Sequence, residues 1–134
     1  MKIGILGATG AVGRQMIQCL EEQNIDAQEL RLFASARSEG KTMQFHQQDL
    51  HVETVKRERL SDLDIVLGAV SADLAKEYAP LITKPSAVFI DNSKAFRLDE
   101  NVPLVIPEIN GSDAKLHHGI IANPNCSTII TLMA

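Results

Sequence analysis

One cysteine stands where a thiol can act as a nucleophile. Cys126 follows Asn123-Pro124-Asn125 and lies between two short apolar runs, residues 119–122 and 129–134. The first run predicts a strand and the second a helix, so the thiol is expected at the carboxyl end of a strand and in the first turn of a helix. The helix dipole and free N–H groups there stabilise a thiolate, so we expect a lowered pKa for this thiol. A buried structural role fits Cys19, inside the first predicted helix, better than Cys126.

A glycine-rich segment near the amino terminus is typical of a dinucleotide-binding loop. Gly7, Gly10 and Gly13 are spaced GxxGxxG between a predicted strand at residues 3–6 and a predicted helix at residues 11–24. Glycines there allow a tight turn, let N–H groups approach a pyrophosphate and let the helix pack closely on the strand. The alternative is a turn with packing duty only, but the flanking strand and helix favour nucleotide binding.

The end of the second predicted strand, residues 30–34, favours NADP over NAD. An NAD site usually has an Asp or Glu here, whose carboxylate accepts a hydrogen bond from the ribose 2′-hydroxyl. This sequence has Ser35, Arg37 and Ser38 instead, which offer two hydroxyls and a guanidinium to a 2′-phosphate. A solvated loop arginine is the alternative role for Arg37, and its position directly after the strand favours the phosphate contact.

A thiolate beside a nicotinamide ring suggests aldehyde chemistry. A thiohemiacetal would transfer hydride, and a second nucleophile would open the resulting thioester. The N–H groups at the helix start and the amide of Asn125 could form an oxyanion hole. The sequence does not identify a general base: all four histidines are expected at the surface, and their spacing is not that of a metal site. They are His46, His51, His117 and His118.

Alternating strands and helices predict a doubly wound, mostly parallel α/β sheet of Rossmann type, with helices on both faces. Residues 64–69 are apolar on both sides and predict a strand covered on each face, while residues 87–90 and 119–122 predict two more strands. Residues 42–46 and 50–55 predict either a hairpin or two edge strands. Ser71 is expected to cap a helix that Pro80 ends or kinks. The buried face of the first helix is expected to contain Val12, Met16, Ile17 and Leu20.

Composition limits the class of protein and its partners. The chain has 134 residues, of which 45% are hydrophobic and 22% charged, which is typical of one globular domain. A net charge of −4 argues against a nucleic-acid or anionic-membrane partner. Two distant cysteines and the lack of a signal segment indicate a cytoplasmic protein. Because the last apolar run has no helix-ending signal, we expect residues 1–134 to be the first domain of a longer polypeptide.

Several motifs together resemble the aspartate-semialdehyde dehydrogenase family, and the resemblance covers all 134 residues. The glycine loop comes first, followed by Ser-Ala-Arg-Ser at residues 35–38 with Gly40-Lys41. The more specific motifs are residues 91–97, Asp-Asn-Ser-Lys-Ala-Phe-Arg, running on to residues 105–110, and residues 123–128, Asn-Pro-Asn-Cys-Ser-Thr. Residues 68–72, which include Ser71, depart from the family's commoner glycine- and serine-rich loop.

The resemblance implies an activity and a set of roles. The family reduces L-aspartyl-4-phosphate to L-aspartate 4-semialdehyde with release of phosphate, on the route to lysine, threonine, methionine and diaminopimelate. Cys126 would form the thioester, Arg97 would bind the acyl phosphate or free phosphate, and Ser35, Arg37 and Ser38 would bind the NADP 2′-phosphate. A second domain would supply the acid/base histidine, so residues 1–134 alone should lack turnover, and the full-length enzyme should be a homo-oligomer. The remaining NADP contacts would be Gly7, Thr9, Gly10, Ala11, Val12, Gly13 and Ser71.

Two other functions stay open at the level of sequence. N-acetyl-glutamyl-phosphate reductases share the chemistry and fold, but their cysteine usually stands in Pro-Gly-Cys-Tyr rather than Asn-Cys-Ser. A catalytically inactive nucleotide-binding module would also keep the fold, although it would have no reason to keep both Cys126 and Arg97.

Overall fold

The computed structural model describes residues 1–25, 27–82 and 84–134. The strands are three to seven residues long and most are apolar runs, although Thr42–Phe45 and Gln48–Thr54 mix polar and apolar residues. Longer stretches with helical periodicity form the main helices. The 3₁₀ turns are Ala36–Ser38, Ala79–Leu81 and Gly111–Leu116. In chain order the other elements are β1 (Lys2–Leu6), α1 (Ala11–Glu22), β2 (Glu29–Ala34), β3 (Thr42–Phe45), β4 (Gln48–Thr54), α2 (Arg57–Leu60), β5 (Ile65–Gly68), α3 (Ala72–Tyr78), β6 (Val88–Asp91), α4 (Pro107–Asn110), β7 (Ile120–Ala122) and α5 (Cys126–Met133).

The strands form one seven-stranded sheet in the order β3-β4-β2-β1-β5-β6-β7. All pairings are parallel except that between β3 and β4. The predicted doubly wound, mostly parallel sheet is therefore confirmed. Of the two arrangements left open for residues 42–55, the hairpin is the one observed. Since β4 also pairs with β2, β3 is the member of this hairpin that lies at a sheet edge. No helix of the described residues is long and apolar enough to cross a membrane.

Side chains alternate between the two faces of this sheet along each strand, and helices pack on both faces. On one face, Ile17 of α1 packs among residues of β1, β2, β3 and β4. On the other face, Leu60 of α2 and Ala75 of α3 pack against Leu6, Phe33 and Phe89. The crossovers thus lie on opposite faces on either side of β1, which is where the strand order reverses.

The expectation that β5 is covered on each face holds fully for one face and only in part for the other. Val66 is fully buried on the α2 and α3 face, but Leu67 stays half-buried on the α1 face. The reason is that α1 crosses between β1 and β2, whereas α2 and α3 pack on the opposite face. Neighbouring residues in register with Leu67, Ile90 of β6 and Ile121 of β7, are half-buried for the same reason.

Two expectations for α1 also need correction. Gly13 and Ile17 form its buried face, while Val12 is 53% exposed rather than buried. Cys19 is exposed as well, so it does not have the interior packing role that its place in the helix suggested. Val12 and Cys19 lie on the side of α1 that borders the half-covered strands, where both line a shallow apolar cavity with Leu67.

Both ends of α3 follow expectation. At its start, Ser71 accepts a hydrogen bond from the Leu74 N–H, and the helix ends at Tyr78, before Pro80.

Glycine is required where α1 meets β1. Gly7 adopts φ +81°, a conformation that side chains disfavour, and a Cβ there would lie 2.3 Å from the carbonyl oxygen of Ala69. A Cβ on Gly13 would lie 2.3 Å from the Gly7 carbonyl oxygen and 2.7 Å from Ala8 Cα. Because these neighbours are backbone atoms, they cannot rotate away. The helix therefore approaches the turn as closely as it does only because Gly13 has no side chain.

An ion-pair network ties together the amino ends of the central strands. Arg31 of β2 is 7% exposed, and its guanidinium donates two hydrogen bonds to Asp62, at 2.6 and 3.0 Å, and one to Glu29 at 2.6 Å. Lys2 of β1 donates to Asp62 at 2.8 Å. Hydrogen bonds from Arg31 and then Lys2 hold the pKa of Asp62 well below its usual range.

The pKa of Asp62 predicts how stability depends on pH. A carboxyl with a depressed folded-state pKa contributes stability above the unfolded value of about 3.9 and loses it as pH falls toward the folded value. We therefore expect Asp62→Asn to lower the free energy of unfolding at neutral pH and to flatten its decline between about pH 4 and pH 2. Urea unfolding at several pH values measures this. Asp49→Asn, an exposed carboxylate with no ion pair in the described structure, is the control. Equal slopes for the two variants would contradict the prediction.

The close approach at Gly13 also predicts a change in stability. Gly13→Ala should lower the free energy of unfolding by about 1–3 kcal/mol, because the new methyl group forces backbone atoms apart and this outweighs the helix preference of alanine. Gly111→Ala is the matched control, since a Cβ there has no neighbour within 4 Å. It should change stability by no more than about 0.5 kcal/mol. Equal free energies of unfolding for the two variants in chemical denaturation would contradict the prediction, because they would mean that a methyl group fits between α1 and the turn.

Candidate active site

The first turn of α1 presents backbone donors at the carboxyl edge of the sheet. Gly10 is the residue before the helix, and no side chain caps the N–H groups that follow it. The loop is held by hydrogen bonds from the Gly7 and Ala8 N–H groups to the Phe33 carbonyl, at 2.8 and 3.0 Å. Free N–H groups and the positive end of a helix dipole form an anion-binding site. The geometry of residues 7–13 is thus compatible with the pyrophosphate contact expected from the sequence.

A cleft of about 400 Å³ opens beside this loop, over the carboxyl ends of β1, β2 and β5. Gly7, Thr9 and Gly10 form one side of it, and Ser35 lies at the end of β2. Its other walls are mostly apolar, as suits a flat base or ring, and burial raises the pKa of the Tyr78 hydroxyl on that side. The apolar wall consists of Leu6, Phe33, Ala34, Val55, Ala69, Val70, Leu74 and Tyr78.

The residues expected to bind a 2′-phosphate lie close to the loop but differ in exposure. Ser38 is buried, and its Oγ lies 3.5 Å from Thr9 Oγ1. Ser35 and Arg37 are exposed, and the described structure shows no hydrogen bond from the Arg37 guanidinium. Lys41, which the sequence analysis gave no role, places its Nζ 3.4 Å from Ser38 Oγ. Ser71, in contrast, directs its hydroxyl at the first turn of α3 and does not line the cleft.

Cys126 begins α5, as predicted, and is exposed. It lines a small cavity of about 220 Å³ together with Arg97 and Val12, the second residue of α1. The first turn of α1 therefore lies between two cavities, with Gly10 facing the cleft and Val12 facing the thiol. A group held on the N–H donors of that turn could reach both cavities at once.

Arg97 is the cation of this small cavity. Its Nε donates to the Asn123 carbonyl at 2.9 Å, and its Nη2 donates to the Asn92 carbonyl at 2.8 Å. These bonds fix the guanidinium plane, and Nη1 is left without a described acceptor. No acidic side chain pairs with Arg97 in residues 1–25, 27–82 and 84–134. A half-buried arginine with unused donors suits a phosphate or acyl-phosphate group.

Two asparagines that the sequence analysis did not assign to the site hold Arg97 in place. Asn123 donates from its side-chain amide to the Asn92 side-chain oxygen, which joins the ends of β7 and β6. Both side chains line the cavity that contains Cys126. Their carbonyl groups are the acceptors for Arg97, so the amide pair positions the guanidinium through the backbone. Asn92 lies in the 91–97 motif and Asn123 precedes Cys126 by three residues, which is the signal that could have identified them.

Asn125 has a role that the sequence only partly anticipates. Its side-chain oxygen accepts a hydrogen bond from the Ser127 N–H at 3.0 Å, so it caps α5 and occupies one of the N–H groups expected in the oxyanion hole. Its side-chain NH₂ has no described acceptor.

The four histidines lie outside the cavity: His117 accepts from the Gly119 N–H, and His46, His51 and His118 are exposed. Among the described residues, no three His, Cys, Asp or Glu side chains are placed to hold a metal ion.

Comparisons with known proteins show the family of this chain. The family described as "Semialdehyde dehydrogenase, NAD binding domain" matches residues 2–117. Aspartate-semialdehyde dehydrogenase of Synechocystis sp. is 46% identical over 97% of this chain, and that of Bacillus subtilis is 44% identical over 96%. The chain spans only 38% and 37% of the length of these two curated relatives.

Solved structures show the same architecture. Aspartate semialdehyde dehydrogenase II of Vibrio cholerae complexed with ASA has a TM-score of 0.92 and 41% identity, covering 98% of this chain and 44% of that one. Aspartate semialdehyde dehydrogenase with NADP from Candida albicans has a TM-score of 0.73 and 28% identity, covering 96% of this chain and 43% of that one. The resemblance seen in the sequence motifs is confirmed, and the chain belongs to the semialdehyde dehydrogenase family, to whose NAD-binding domain it corresponds.

Proposed function

We propose that this chain is the nucleotide-binding and nucleophile-bearing part of an NADP-dependent aspartate-semialdehyde dehydrogenase. The reaction is the reduction of L-aspartyl-4-phosphate to L-aspartate 4-semialdehyde with release of phosphate. The observation that carries the proposal is that Cys126 and Arg97 share one cavity with the first turn of α1. The names of the relatives and the match to the NAD-binding domain support the same function.

The side chains of the small cavity divide the chemistry between them. The Cys126 thiolate attacks the acyl carbon of the acyl phosphate, a carbon–sulfur bond forms, and phosphate leaves with the electron pair of the broken carbon–oxygen bond. Arg97 holds the phosphate oxygens with the donors that its two backbone contacts leave free. The Asn125 NH₂ and the first N–H groups of α5 stabilise charge on the acyl oxygen. When hydride is delivered to the thioester carbon, the sulfur departs and the aldehyde is released.

The dinucleotide fits the residues that surround α1. The close approach at Gly13 brings the helix start to the turn after β1, and a Cβ there would fill the space that this approach requires. Bound NADPH supplies the hydride. Residues 7 and 9–13 hold the pyrophosphate, and Ser35, Arg37 and Ser38 hold the 2′-phosphate. Support for NADP rather than NAD comes from those last three residues and from the Candida albicans relative, whose structure was solved with NADP. Ser71 remains a proposed cofactor contact, although its hydroxyl caps α3.

The remaining parts of the enzyme are proposed to lie outside these 134 residues. The lining of the Cys126 cavity includes no histidine or carboxylate within the described residues, so the acid/base group comes from elsewhere. The relatives are more than twice as long as this chain, which leaves room for a second domain. Exposed apolar side chains on α5 suit contact with such a domain. Residues 1–134 alone are expected to lack turnover, and homo-oligomerisation and a cytoplasmic location stay predictions. The exposed side chains on α5 are Ile130, Leu132 and Met133.

The two alternative functions have less support. For an N-acetyl-glutamyl-phosphate reductase, the cysteine neighbourhood does not fit, and the relatives named above are aspartate-semialdehyde dehydrogenases. An inactive nucleotide-binding module would not need an exposed thiol and an arginine without an acidic partner in the same cavity.

Substitution of the thiol tests the proposal. In the full-length polypeptide that contains this chain, Cys126→Ser should lower kcat for semialdehyde oxidation by at least about 10³-fold, since removing a nucleophile removes the covalent route. Turnover is measured as NADPH formation from L-aspartate 4-semialdehyde, phosphate and NADP. Binding of NADP should stay within a factor of about two.

Cys19→Ser is the matched control, because Cys19 is the other exposed cysteine of the chain. It should keep activity near that of the unsubstituted enzyme. Turnover that survives Cys126→Ser, or no turnover of this substrate by the unsubstituted enzyme, would reject the proposed function.

A further inference from the structure

One fully buried carboxylate has no part in the chemistry proposed above. Asp91 is the last residue of β6, and its side chain is 0% exposed. No Lys, Arg or His within the described parts of the chain forms an ion pair with it. Removing a carboxylate from water costs free energy that other groups must offset, so buried carboxylates are rarely left without a cation.

The fold makes room for this carboxylate at the carboxyl ends of two adjacent strands. Asp91 is in register with Gly68 of β5, and a Cβ on Gly68 would lie 3.3 Å from Asp91 Oδ1. Asp91 lies on the same face of β6 as Phe89, the face on which α2 and α3 pack. The Cys126 cavity is lined instead by the next residue, Asn92. Because Asp91 does not line the cavity, any effect that it has on the reaction must pass through the loop that follows it.

Both oxygens of the Asp91 carboxylate accept hydrogen bonds from one residue of that loop. Oδ1 accepts from the Ser93 N–H at 3.0 Å, and Oδ2 accepts from the Ser93 hydroxyl at 2.7 Å. Ser93 Oγ in turn accepts from the Ala95 N–H at 3.0 Å. The ring of Phe96 packs edge-on against an aromatic ring of β6, with 6.4 Å between the centroids. The loop is thus anchored at several points before it reaches Arg97.

One peptide group joins the carboxylate to the guanidinium. The carbonyl of Asn92 and the N–H of Ser93 belong to the same planar trans peptide unit. Its N–H donates to Asp91 Oδ1 at 3.0 Å, and its carbonyl accepts from Arg97 Nη2 at 2.8 Å. Because the N–H and C=O of a trans peptide point in opposite directions, the carboxylate fixes the direction of the carbonyl. A charged acceptor on the N–H also polarises the carbonyl, which strengthens its bond to the guanidinium.

We propose that Asp91 is a positioning residue for Arg97: through the peptide group between Asn92 and Ser93, it holds the guanidinium in the orientation that binds the phosphate of the substrate. This inference rests on the proposed function, because that function gives Arg97 its phosphate ligand. Ser93 has a supporting role, since its hydroxyl holds the second carboxylate oxygen and keeps the side chain from rotating. A guanidinium that is fixed in advance loses less conformational freedom when phosphate binds.

The phosphate dependence of turnover tests the inference. In the full-length polypeptide that contains this chain, semialdehyde oxidation is followed as NADPH formation at varied phosphate concentration. Ser93→Ala should raise the KM for phosphate by about fivefold or more, because the released carboxylate no longer fixes the peptide group. The KM for NADP should change by less than about twofold. At saturating phosphate kcat should change by less than about threefold, since the contact holds phosphate in the ground state and the transition state alike.

Three further variants sharpen the test. Asp91→Asn keeps the shape of the side chain but removes its charge and one acceptor, so it should raise the KM for phosphate by about 10-fold. Ser93→Thr keeps the hydroxyl and should stay within about twofold of the unsubstituted enzyme. Ser61→Ala is the control, because Ser61 is also half-buried and its hydroxyl donates one local hydrogen bond, at the amino end of the sheet. Urea unfolding shows which variants are folded, and the two Ser93 variants carry the test if Asp91→Asn is not.

The outcomes separate this inference from the proposed function. Arg97→Lys, which loses the guanidinium, is the reference and should raise the KM for phosphate at least as much as Asp91→Asn. If the unsubstituted enzyme has no turnover, or if Arg97→Lys leaves that KM unchanged, the proposed function fails and the inference fails with it. If Arg97→Lys raises the KM but the folded variants at Asp91 and Ser93 do not, the inference alone is overturned. A parallel rise in the KM for NADP also overturns it, because that pattern would mean that the carboxylate supports the whole edge of the sheet.

Discussion

The site depends on the close packing of one helix on one turn. α1 can start directly above the end of β1 only because Gly13 places no side chain against the Gly7 carbonyl, and because Gly7 accepts a left-handed backbone conformation. This packing brings the free N–H groups of the first turn to the carboxyl edge of the sheet, at the position where the strand order reverses. It also brings Val12 into the cavity that contains Cys126. A helix displaced outward would separate the nucleotide loop from the thiol.

The two ends of the sheet differ in whether their basic side chains have carboxylate partners. At the amino end, the basic groups are neutralised by carboxylates: Arg31 bonds Asp62 and Glu29, and Lys84 bonds Asp64. At the carboxyl end, three basic side chains have no acidic partner within the described parts of the chain: Arg14, Lys41 and Arg97. The amino end is thus stabilised by internal ion pairs, and the carboxyl end keeps positive charge for anionic ligands in a protein that is acidic overall.

The sequence predicts much of this arrangement because its signals are local. The glycine spacing, the apolar runs and the cap at Ser71 each act within a few residues, and they place the strands, the loop and the start of α5 correctly. Contacts between distant segments are harder to predict. Lys41 meets Ser38 because β4 fixes its backbone, and the contact between Asn92 and Asn123 depends on the pairing of β6 with β7. Exposure of Cys19 and Val12 was missed for a related reason, since helical periodicity shows which residues share a face but not whether another element covers it.

The most direct test of the account asks whether the thiol and the bound dinucleotide share one site. The measurement is the rate of alkylation of each cysteine by iodoacetamide in the full-length polypeptide, with and without saturating NADP, followed by peptide mass spectrometry. We predict that bound NADP slows the labelling of Cys126 by several-fold, because a dinucleotide on the first turn of α1 shields the thiol, while Cys19, outside the nucleotide cleft, reacts at the same rate. Labelling of Cys126 that is indifferent to bound NADP would contradict the account.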